Sequence, residues 1–182
     1  MTRPAAFLDR DGVINIDHGY VSRWEDFEYV PGAVDALRRL QAAGYALVIV
    51  TNQSGVARGY YDEPAVHALH DALRQDLAEQ GVTLAAIEHC PHLPDALVAR
   101  YARDCDCRKP APGMILRSAQ ALGIDLAGSL MFGDKASDVE AGRLAGVGRS
   151  VLLATNADPA AAKGEAAEFT SLADAVGALL DV

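Results

Sequence analysis

Two carboxylates, Asp9 and Asp11, directly follow a short apolar run in the segment FLDRDGVIN. If this run forms a buried strand, extended alternation directs both side chains to the same side, where the backbone leaves the sheet. Such a pair can bind a hard cation such as Mg²⁺, and one carboxylate can attack phosphorus while the other protonates the leaving oxygen. A solvated acidic turn or a calcium-binding loop also contains Asp-x-Asp-Gly, so the pair alone leaves the chemistry open.

Later segments add groups that phosphoryl chemistry requires. The next strand-like run is followed by small hydroxyl and amide side chains that can bond to phosphoryl oxygens: Thr51, Asn52, Gln53 and Ser54. Another run ends in Gly133-Asp134-Lys135, and Asp138 completes a second acidic pair at the start of a predicted helix. Arg108 and Lys109 supply positive charge that can offset the negative charge of a phosphoryl group. Together these segments predict a phosphoryl-transfer site.

Three thiols and one imidazole lie close together in the chain: Cys90, His92, Cys105 and Cys107. They form the Cys₃His set that holds structural Zn²⁺ tetrahedrally, and four protein ligands leave no open position for catalysis. Ordinary buried thiols, a disulfide, or His89 in place of His92 are the alternatives. The short spacing of Cys105 and Cys107 and a reducing compartment disfavour the disulfide. Folding around zinc would position the two cations that follow Cys107.

Strands and helices alternate along the chain. Apolar periodicity predicts strands at 5–8, 45–50, 87–89, 129–132 and 150–154, and helices at 31–44, 63–80, 114–122, 137–145 and 171–180. This alternation predicts an α/β fold with a doubly wound parallel sheet, whose ligands bind at the carboxyl ends of the strands. We expect one domain over residues 1–182, with a zinc-binding loop at about 90–107 and no large cap domain.

Local polar patterns predict helix starts and one irregular segment. Ser137 with Glu140, and Ser171 with Asp174, have the spacing of capping boxes. Residues 158–168 are rich in Ala and predict a loop or a frayed helix.

Composition narrows the class of protein. The formal net charge is −9 over 182 residues, without a run of Lys and Arg, which argues against a nucleic-acid partner. No apolar window is long enough to span a membrane, and the first residues lead into a strand without room for a signal peptide. An odd number of cysteines, three, favours reduced thiols and a cytoplasmic location. With no large apolar stripe evident, we expect a monomer.

The four polar blocks, in this order, resemble the haloacid dehalogenase superfamily, whose members share a doubly wound fold and an aspartate nucleophile. The resemblance implies Asp9 as nucleophile, Asp11 as general acid and then base, and Thr51 and Lys109 as phosphoryl stabilisers. It also implies Mg²⁺ as cofactor, held by Asp9, Asp11 and Asp134, with Asp138 supporting the site. Aspartate at position 11 fits a phosphatase, because the leaving alkoxide of a phosphate ester must be protonated.

The segments FLDRDGVIN, DHGYV, VTNQSGVARG, CPH, CDCRKP and GDK resemble one phosphatase family, the D-glycero-D-manno-heptose 1,7-bisphosphate phosphatases. The match extends to about Leu153. It implies a bacterial enzyme that removes the C7 phosphate during the synthesis of nucleotide-activated heptose for surface polysaccharide. The implied substrate contacts are Asp17, His18, Gly19, Tyr20, Thr51, Asn52, Gln53, Ser54, Arg108, Lys109 and Lys135.

Other functions fit parts of the pattern. The related histidinol-phosphate phosphatases share the aspartate pair and the zinc loop but differ after the first strand, where DHGYV resembles the heptose enzymes. A zinc-stabilised module that only binds phosphorylated ligands would not need an attacking carboxylate beside an acid. The flap at 17–24 is the expected specificity element, although His18 and Tyr20 could simply pack a surface loop.

Overall fold

The computed structural model of the protein describes residues 2–154 and 167–181. Its centre is a parallel sheet of five strands in the order β3-β2-β1-β4-β5. The strands are β1 Ala5–Leu8, β2 Ala46–Asn52, β3 Leu84–Cys90, β4 Leu130–Gly133 and β5 Arg149–Leu152. The order runs outward from β1 in both directions, which confirms the predicted doubly wound parallel sheet.

Helices cover both faces of this sheet. They are α1 Ala33–Ala42, α2 Glu63–Glu79, α3 Gly113–Leu122, α4 Ala136–Ala145 and α5 Leu172–Leu180, with short 3₁₀ turns at Trp24–Asp26 and Ala99–Tyr101. The long helix α2 begins where the Asp62 side chain accepts a hydrogen bond from the Ala65 N–H at 3.0 Å. Such a cap satisfies one of the donors that a helix start leaves open.

The central strand β1 is buried on both sides. Leu8 packs into a core that includes Leu37 of α1 and Leu73 of α2, whereas Phe7 packs on the opposite face with Met114 of α3 and Ala141 of α4. Successive strand residues face opposite ways, so a continuous apolar run is the expected sequence of a strand covered by helices on both faces. Because β2, β1 and β4 are parallel neighbours, their carboxyl ends meet at one edge of the sheet.

Two local predictions needed correction or extension. The prediction of a capping box formed by Ser137 and Glu140 is wrong. Helix α4 begins at Ala136, and the Asp138 carboxylate accepts a hydrogen bond from the Lys135 N–H at 3.1 Å. Glu140 instead pairs with Arg143 at 2.6 Å. Strand β3 is longer than the predicted 87–89, since it pairs with β2 from Leu84 to Cys90.

Two other predictions concern the C-terminal part of the chain. At the last helix, the Ser171 hydroxyl accepts from the Asp174 N–H at 3.1 Å, as predicted. Most of the Ala-rich stretch, residues 158–166, lies outside the described residues.

In the part of the chain that the structure describes, none of the helices combines the length and the apolar character that a membrane crossing demands.

Candidate active site

Three carboxylates and one lysine meet where β1 and β4 end. Ligand oxygens of Asp9, Asp134 and Asp138 all lie within 4.8 Å of one another. Lys109 Nζ lies 2.9 Å from Asp9 Oδ1 and 2.6 Å from Asp138 Oδ1, and it donates to the Val50 carbonyl at 2.7 Å. Asp9, Asp138 and Lys109 are all buried, so their mutual attraction and repulsion are only weakly screened by water.

The crowding of negative charge shows in the acidities of this cluster. Burial, and then the charge of Asp138, raise the pKa of Asp9 to about 7 from an ordinary value of 3.8. Burial, with Asp138 again contributing, raises the pKa of Asp134 to about 6. Burial disfavours the charge of Lys109, but Asp138 and Asp9 outweigh it and raise the pKa of that amine. The cluster therefore carries more negative charge than Lys109 alone can offset.

The same cluster fits a magnesium ion. Asp134 Oδ1 is buried and has no hydrogen-bond partner among residues 2–154 and 167–181. Gly12 has φ +85°, and a Cβ added there would lie 2.2 Å from Asp134 Oδ2, so the backbone approaches this carboxylate as only glycine allows. Converging carboxylate oxygens, one of them without a partner, are the ligand chemistry that Mg²⁺ prefers.

Asp11 lies outside this cluster. Its carboxylate accepts from Arg10 Nη2 at 2.9 and 3.2 Å, from Asn15 Nδ2 at 2.9 Å and from Gln53 Nε2 at 3.0 Å. Burial would raise the pKa of Asp11, but the Arg10 charge and these hydrogen bonds hold it below its ordinary value. The two aspartates of FLDRDGVIN thus have opposite electrostatic environments when no metal is bound.

Sequence reasoning missed Arg10, whose side chain is fully buried. Besides Asp11, it donates to the Val21 carbonyl at 2.8 Å, and its Nη1 lies 3.1 Å from His70 Nε2. Burial and the Arg10 charge lower the pKa of His70 to about 3, so the imidazole is neutral and can accept from the guanidinium. Arg10 therefore ties the segment that follows β1 to the flap at 17–24 and to α2.

The polar residues after β2 form a second network. Gln53 Nε2 donates to Thr51 Oγ1 at 2.9 Å as well as to Asp11, and Gln53 Oε1 accepts from Tyr61 OH at 2.6 Å. Burial is the main cause that raises the pKa of Tyr61 to about 12, so its hydroxyl remains a donor. Sequence reasoning also missed Tyr61, because nothing in the local sequence distinguishes it from the adjacent Tyr60.

Asn52 has a structural partner where the sequence predicted a substrate contact. Its Nδ2 donates to the Lys109 carbonyl at 3.1 Å, and its Oδ1 accepts from the Lys109 N–H at 3.0 Å. The amide thereby holds the main chain of Lys109 at the end of β2. This pairing leaves little of the Asn52 amide for a ligand and explains how a residue from a distant loop is placed beside Asp9.

A cleft of about 280 Å³ opens beside Asp11 and is lined by Asp17, Gly19, Tyr20, Asn52, Gln53, Ser54, Tyr61 and Lys135. Tyr20 is a non-glycine residue with positive φ, +53°, and its half-exposed ring packs edge-on against Tyr60 with centroids 4.7 Å apart. The Gly19 N–H donates to Asp17 Oδ1 at 3.0 Å, which closes the tip of the flap.

Four residues of the predicted substrate set do not line this cleft: His18, Thr51, Arg108 and Lys109. His18 Nε2 pairs with Glu28 at 2.9 Å on the exposed side of the flap. Arg108 Nη1 lies 3.4 Å from the His92 carbonyl, near the cysteine-rich loop.

The cysteine-rich loop brings its four predicted ligands together. Sγ–Sγ distances are 3.1 Å for Cys90–Cys107, 3.3 Å for Cys105–Cys107 and 3.6 Å for Cys90–Cys105. His92 Nδ1 lies 3.3 Å from Cys107 Sγ and 3.7 Å from Cys90 Sγ. Zn–S bonds of about 2.3 Å in a tetrahedron correspond to edges of about 3.8 Å, so this slightly contracted group fits zinc.

The alternatives for this loop fare less well. All three cysteines are free thiols. His89 Nε2 lies 2.9 Å from Glu63 Oε2, so His89 is engaged away from the thiols. The Arg108 N–H donates to Cys105 Sγ at 3.3 Å, which joins the cysteine cluster directly to the segment that bears Lys109.

Comparison with known proteins agrees with this geometry. A family model described as HAD-hydrolase-like matches residues 106–179. The D-glycero-beta-D-manno-heptose-1,7-bisphosphate 7-phosphatase of Photorhabdus laumondii is 51% identical over 152 residues, 84% of this chain and 81% of the relative. The enzyme of the same name from Yersinia pestis is 48% identical over 174 residues, 94% of this chain and 92% of the relative.

A solved structure extends the agreement to three dimensions. The D,D-heptose 1,7-bisphosphate phosphatase from B. bronchiseptica, complexed with magnesium and phosphate, superposes with a TM-score of 0.84 at 36% identity, covering 98% of each chain. Identity of this level over nearly the whole chain, with the same fold, leaves no room for a different family. The chain belongs to the D-glycero-D-manno-heptose 1,7-bisphosphate phosphatase family of the haloacid dehalogenase superfamily.

Proposed function

We propose that this protein hydrolyses the C7 phosphate of D-glycero-β-D-manno-heptose 1,7-bisphosphate through a phospho-aspartate on Asp9. The observation that carries the proposal is the buried Asp9 carboxylate, 2.9 Å from Lys109, at the strand edge that also holds Asp134. The relatives' names support both the substrate and the β anomer. The product would enter the synthesis of nucleotide-activated heptose for surface polysaccharide, in the cytoplasm.

In the first step an oxygen of Asp9 attacks phosphorus, and the bond from phosphorus to the sugar O7 breaks. Lys109 and the Thr51 hydroxyl would hold phosphoryl oxygens. Asp11 gives a proton to the leaving O7, which departs as the hydroxyl of heptose 1-phosphate. Asp11 is ionised in the free protein, and an approaching phosphate raises its pKa by like-charge repulsion, so that it takes up the proton that it later transfers.

In the second step the Asp11 carboxylate removes a proton from water. The water oxygen bonds to phosphorus, the bond from phosphorus to Asp9 breaks, and inorganic phosphate leaves. The Arg10, Asn15 and Gln53 hydrogen bonds hold the Asp11 carboxylate in one orientation for both transfers. Correct orientation of this single group matters because proton transfer requires hydrogen-bond reach to the reacting oxygen.

Asp9 and Asp134 are the residues that would hold Mg²⁺, with Asp11 as the third predicted ligand and Asp138 beside them. When bound, the ion neutralises charge on the phosphoryl oxygens. The magnesium and phosphate in the B. bronchiseptica structure support this assignment. Because the Asp11 carboxylate is held by other groups here, direct ligation by its side chain remains a prediction.

We assign structural Zn²⁺ to Cys90, His92, Cys105 and Cys107, on the strength of their donor atoms and separations. The hydrogen bond from the Arg108 N–H to Cys105 connects that site to Lys109. Residues 1–182 would act as a single domain and a monomer, with 90–107 as the zinc loop. The sugar would occupy the open cleft under Tyr20, with Lys135 and Asp17 within its reach.

The experiment that tests this function measures phosphate release from the α and β anomers of heptose 1,7-bisphosphate and from histidinol phosphate, with Mg²⁺ present. We expect turnover to be fastest with the β anomer and dependent on Mg²⁺. Dominance of histidinol phosphate would overturn the substrate while keeping the mechanism. Binding of phosphate without turnover of any ester would show a module that only binds phosphorylated ligands.

Tyr20→Ala should raise KM more than it lowers kcat. The ring lines the cleft and packs on Tyr60, away from the reacting carboxylates, so its loss removes binding surface and leaves the chemistry in place. An aromatic contact worth about 0.5–1.5 kcal/mol corresponds to a change of about 2- to 12-fold in KM. Steady-state kinetics check this, with Tyr20→Phe as the control that retains the ring. A fall in kcat at unchanged KM would place Tyr20 in the chemical step.

The metal-free protein should lose stability as pH rises from about 4 to about 7. The folded pKa of Asp9 is about 7 and that of Asp134 about 6, against 3.8 when unfolded, so protonation favours the folded state and the gain disappears above the folded values. Mg²⁺ should therefore stabilise strongly at pH 8 and weakly at pH 5. At about 100 times its Kd the ion should contribute about 2.7 kcal/mol. Denaturant unfolding of the zinc-loaded protein with and without added Mg²⁺ measures both effects, and equal stabilisation at the two pH values would contradict this account.

A further inference from the structure

A second group of metal-ligating side chains lies outside the phosphatase site and outside the Cys₃His group. Glu63 and His67 stand one turn apart at the start of α2, and His89 stands near the end of β3. Ligand atoms of these residues all lie within 4.8 Å of one another. We call this group the His67 cluster. None of its members has a role in the proposed hydrolysis.

Contacts within the His67 cluster and with a neighbouring tyrosine fix the orientation of its side chains. Glu63 Oε2 lies 2.9 Å from His89 Nε2, and the rings of His67 and His89 meet edge-on with centroids 5.2 Å apart. Tyr101 OH donates to Glu63 Oε1 at 2.8 Å, which fixes the carboxylate through its other oxygen. Partners of this kind orient ligands in metal sites and tune their affinity.

The distances can be compared with real coordination. Metal–nitrogen and metal–oxygen bonds of about 2.1 Å place neighbouring ligand atoms about 3.4 Å apart in a tetrahedron and about 3.0 Å apart at right angles. The 2.9 Å between Glu63 Oε2 and His89 Nε2 is a hydrogen-bond distance in the metal-free protein, and it is close to the right-angle separation. Burial would raise the pKa of Glu63, but the hydrogen bonds from His89 and Tyr101 lower it, so the carboxylate is ionised and ready to bind.

Donor type and exposure indicate which ion would bind. Two imidazoles and one carboxylate suit Zn²⁺ and neighbouring divalent transition metals, whereas Mg²⁺ and Ca²⁺ prefer oxygen alone. His67 is exposed and His89 is only partly buried, so an ion here would be reached from solvent. Glu63 and His89 line a cleft of about 550 Å³ together with His92, Cys105 and Cys107. Two members of the His67 cluster, Glu63 and His89, thus share a cleft with the proposed zinc loop.

We propose that Glu63, His67 and His89 form a second metal site, which binds Zn²⁺ or a similar divalent transition metal with a coordination position open to solvent. The alternative is a simple hydrogen bond between Glu63 and His89 with a neighbouring surface histidine. That alternative predicts no bound ion, so metal content separates the two. The inference does not depend on the phosphatase reaction.

The test is zinc stoichiometry of the full, tag-free chain at buffered micromolar free Zn²⁺, with excess Mg²⁺ to occupy the carboxylate site of Asp9, Asp134 and Asp138. We expect two ions per chain in the wild type and one in His67→Ala and in Glu63→Gln. Glu79→Gln is the matched control, because it removes the same charge from the other end of α2, at an exposed position, and should keep two ions. Circular dichroism establishes that each variant is folded. His89 is left unchanged because it precedes the zinc ligand Cys90.

Cobalt substitution identifies which ion is lost. Thiolate ligands give Co²⁺ intense charge-transfer absorption, which two imidazoles and a carboxylate cannot produce. His67→Ala should therefore lose one cobalt per chain while the charge-transfer band stays unchanged. The proposal is overturned if the wild type binds one ion only, if both variants retain the second ion, or if the charge-transfer band falls with it.

Discussion

Asp9→Asn should reduce phosphate release by at least about 10⁴-fold, because an amide cannot attack phosphorus and no covalent intermediate can form. The Asp9 carboxylate is buried, 2.9 Å from Lys109. Its neighbours have other partners or roles: Asp11 is held by Arg10, Asp138 by Lys109 and the Lys135 N–H, and Asp134 would hold Mg²⁺. Trapping of phospho-protein from labelled substrate measures the loss directly. Steady-state phosphate release measures it independently.

The same variant should keep its fold and should become more stable in the absence of metal above pH 7. Burial and the charge of Asp138 disfavour ionised Asp9, so replacing it by neutral Asn relieves repulsion within the cluster. Asp35→Asn, at an exposed position of α1, is the control for the loss of one surface charge. Retained turnover in Asp9→Asn would refute the phospho-aspartate mechanism, and an unfolded variant would refute the stability argument.

Cys107→Ser should lose zinc, lower the melting temperature and reduce kcat/KM by at least about 100-fold. Its sulfur is the closest to the other three donor atoms, and apparent zinc-binding energies in structural sites reach about 10–16 kcal/mol. Without the ion, the loop that holds Lys109 beside Asp9 is free to move. Misplacement of a catalytic group by about 1 Å can cost about 100-fold in rate.

Metal analysis, thermal unfolding and steady-state kinetics on one preparation check this prediction. Asp104→Asn, an exposed position in the same loop, controls for substitution in that segment and should leave all three quantities unchanged. If Cys107→Ser retains full activity and its melting temperature, the cysteine cluster has no part in positioning Lys109.

Some features of this protein follow from local sequence alone. Ala5–Leu8 is apolar at every position, as a strand buried on both faces must be, and the polar residues that follow it leave the sheet where a ligand can reach them. The alternation of strands and helices then requires the ends of neighbouring parallel strands to meet. Asp9, Thr51 and Asp134 could therefore be placed at one edge before any contact was known. Zinc-type spacing in the cysteine loop is likewise a local pattern.

What the tertiary structure decided depends on residues that are far apart in the chain. Arg10 lies between two aspartates in the sequence, as a surface residue would, yet it is buried by contacts to Val21 and to His70 on α2. The amide of Asn52 holds Lys109, a residue 57 positions later. Neither contact leaves a periodic signal, because each depends on how separate elements pack. The predicted β3 was too short for the same reason. Pairing with β2 stabilises the full length of β3, which the sequence of β3 alone does not indicate.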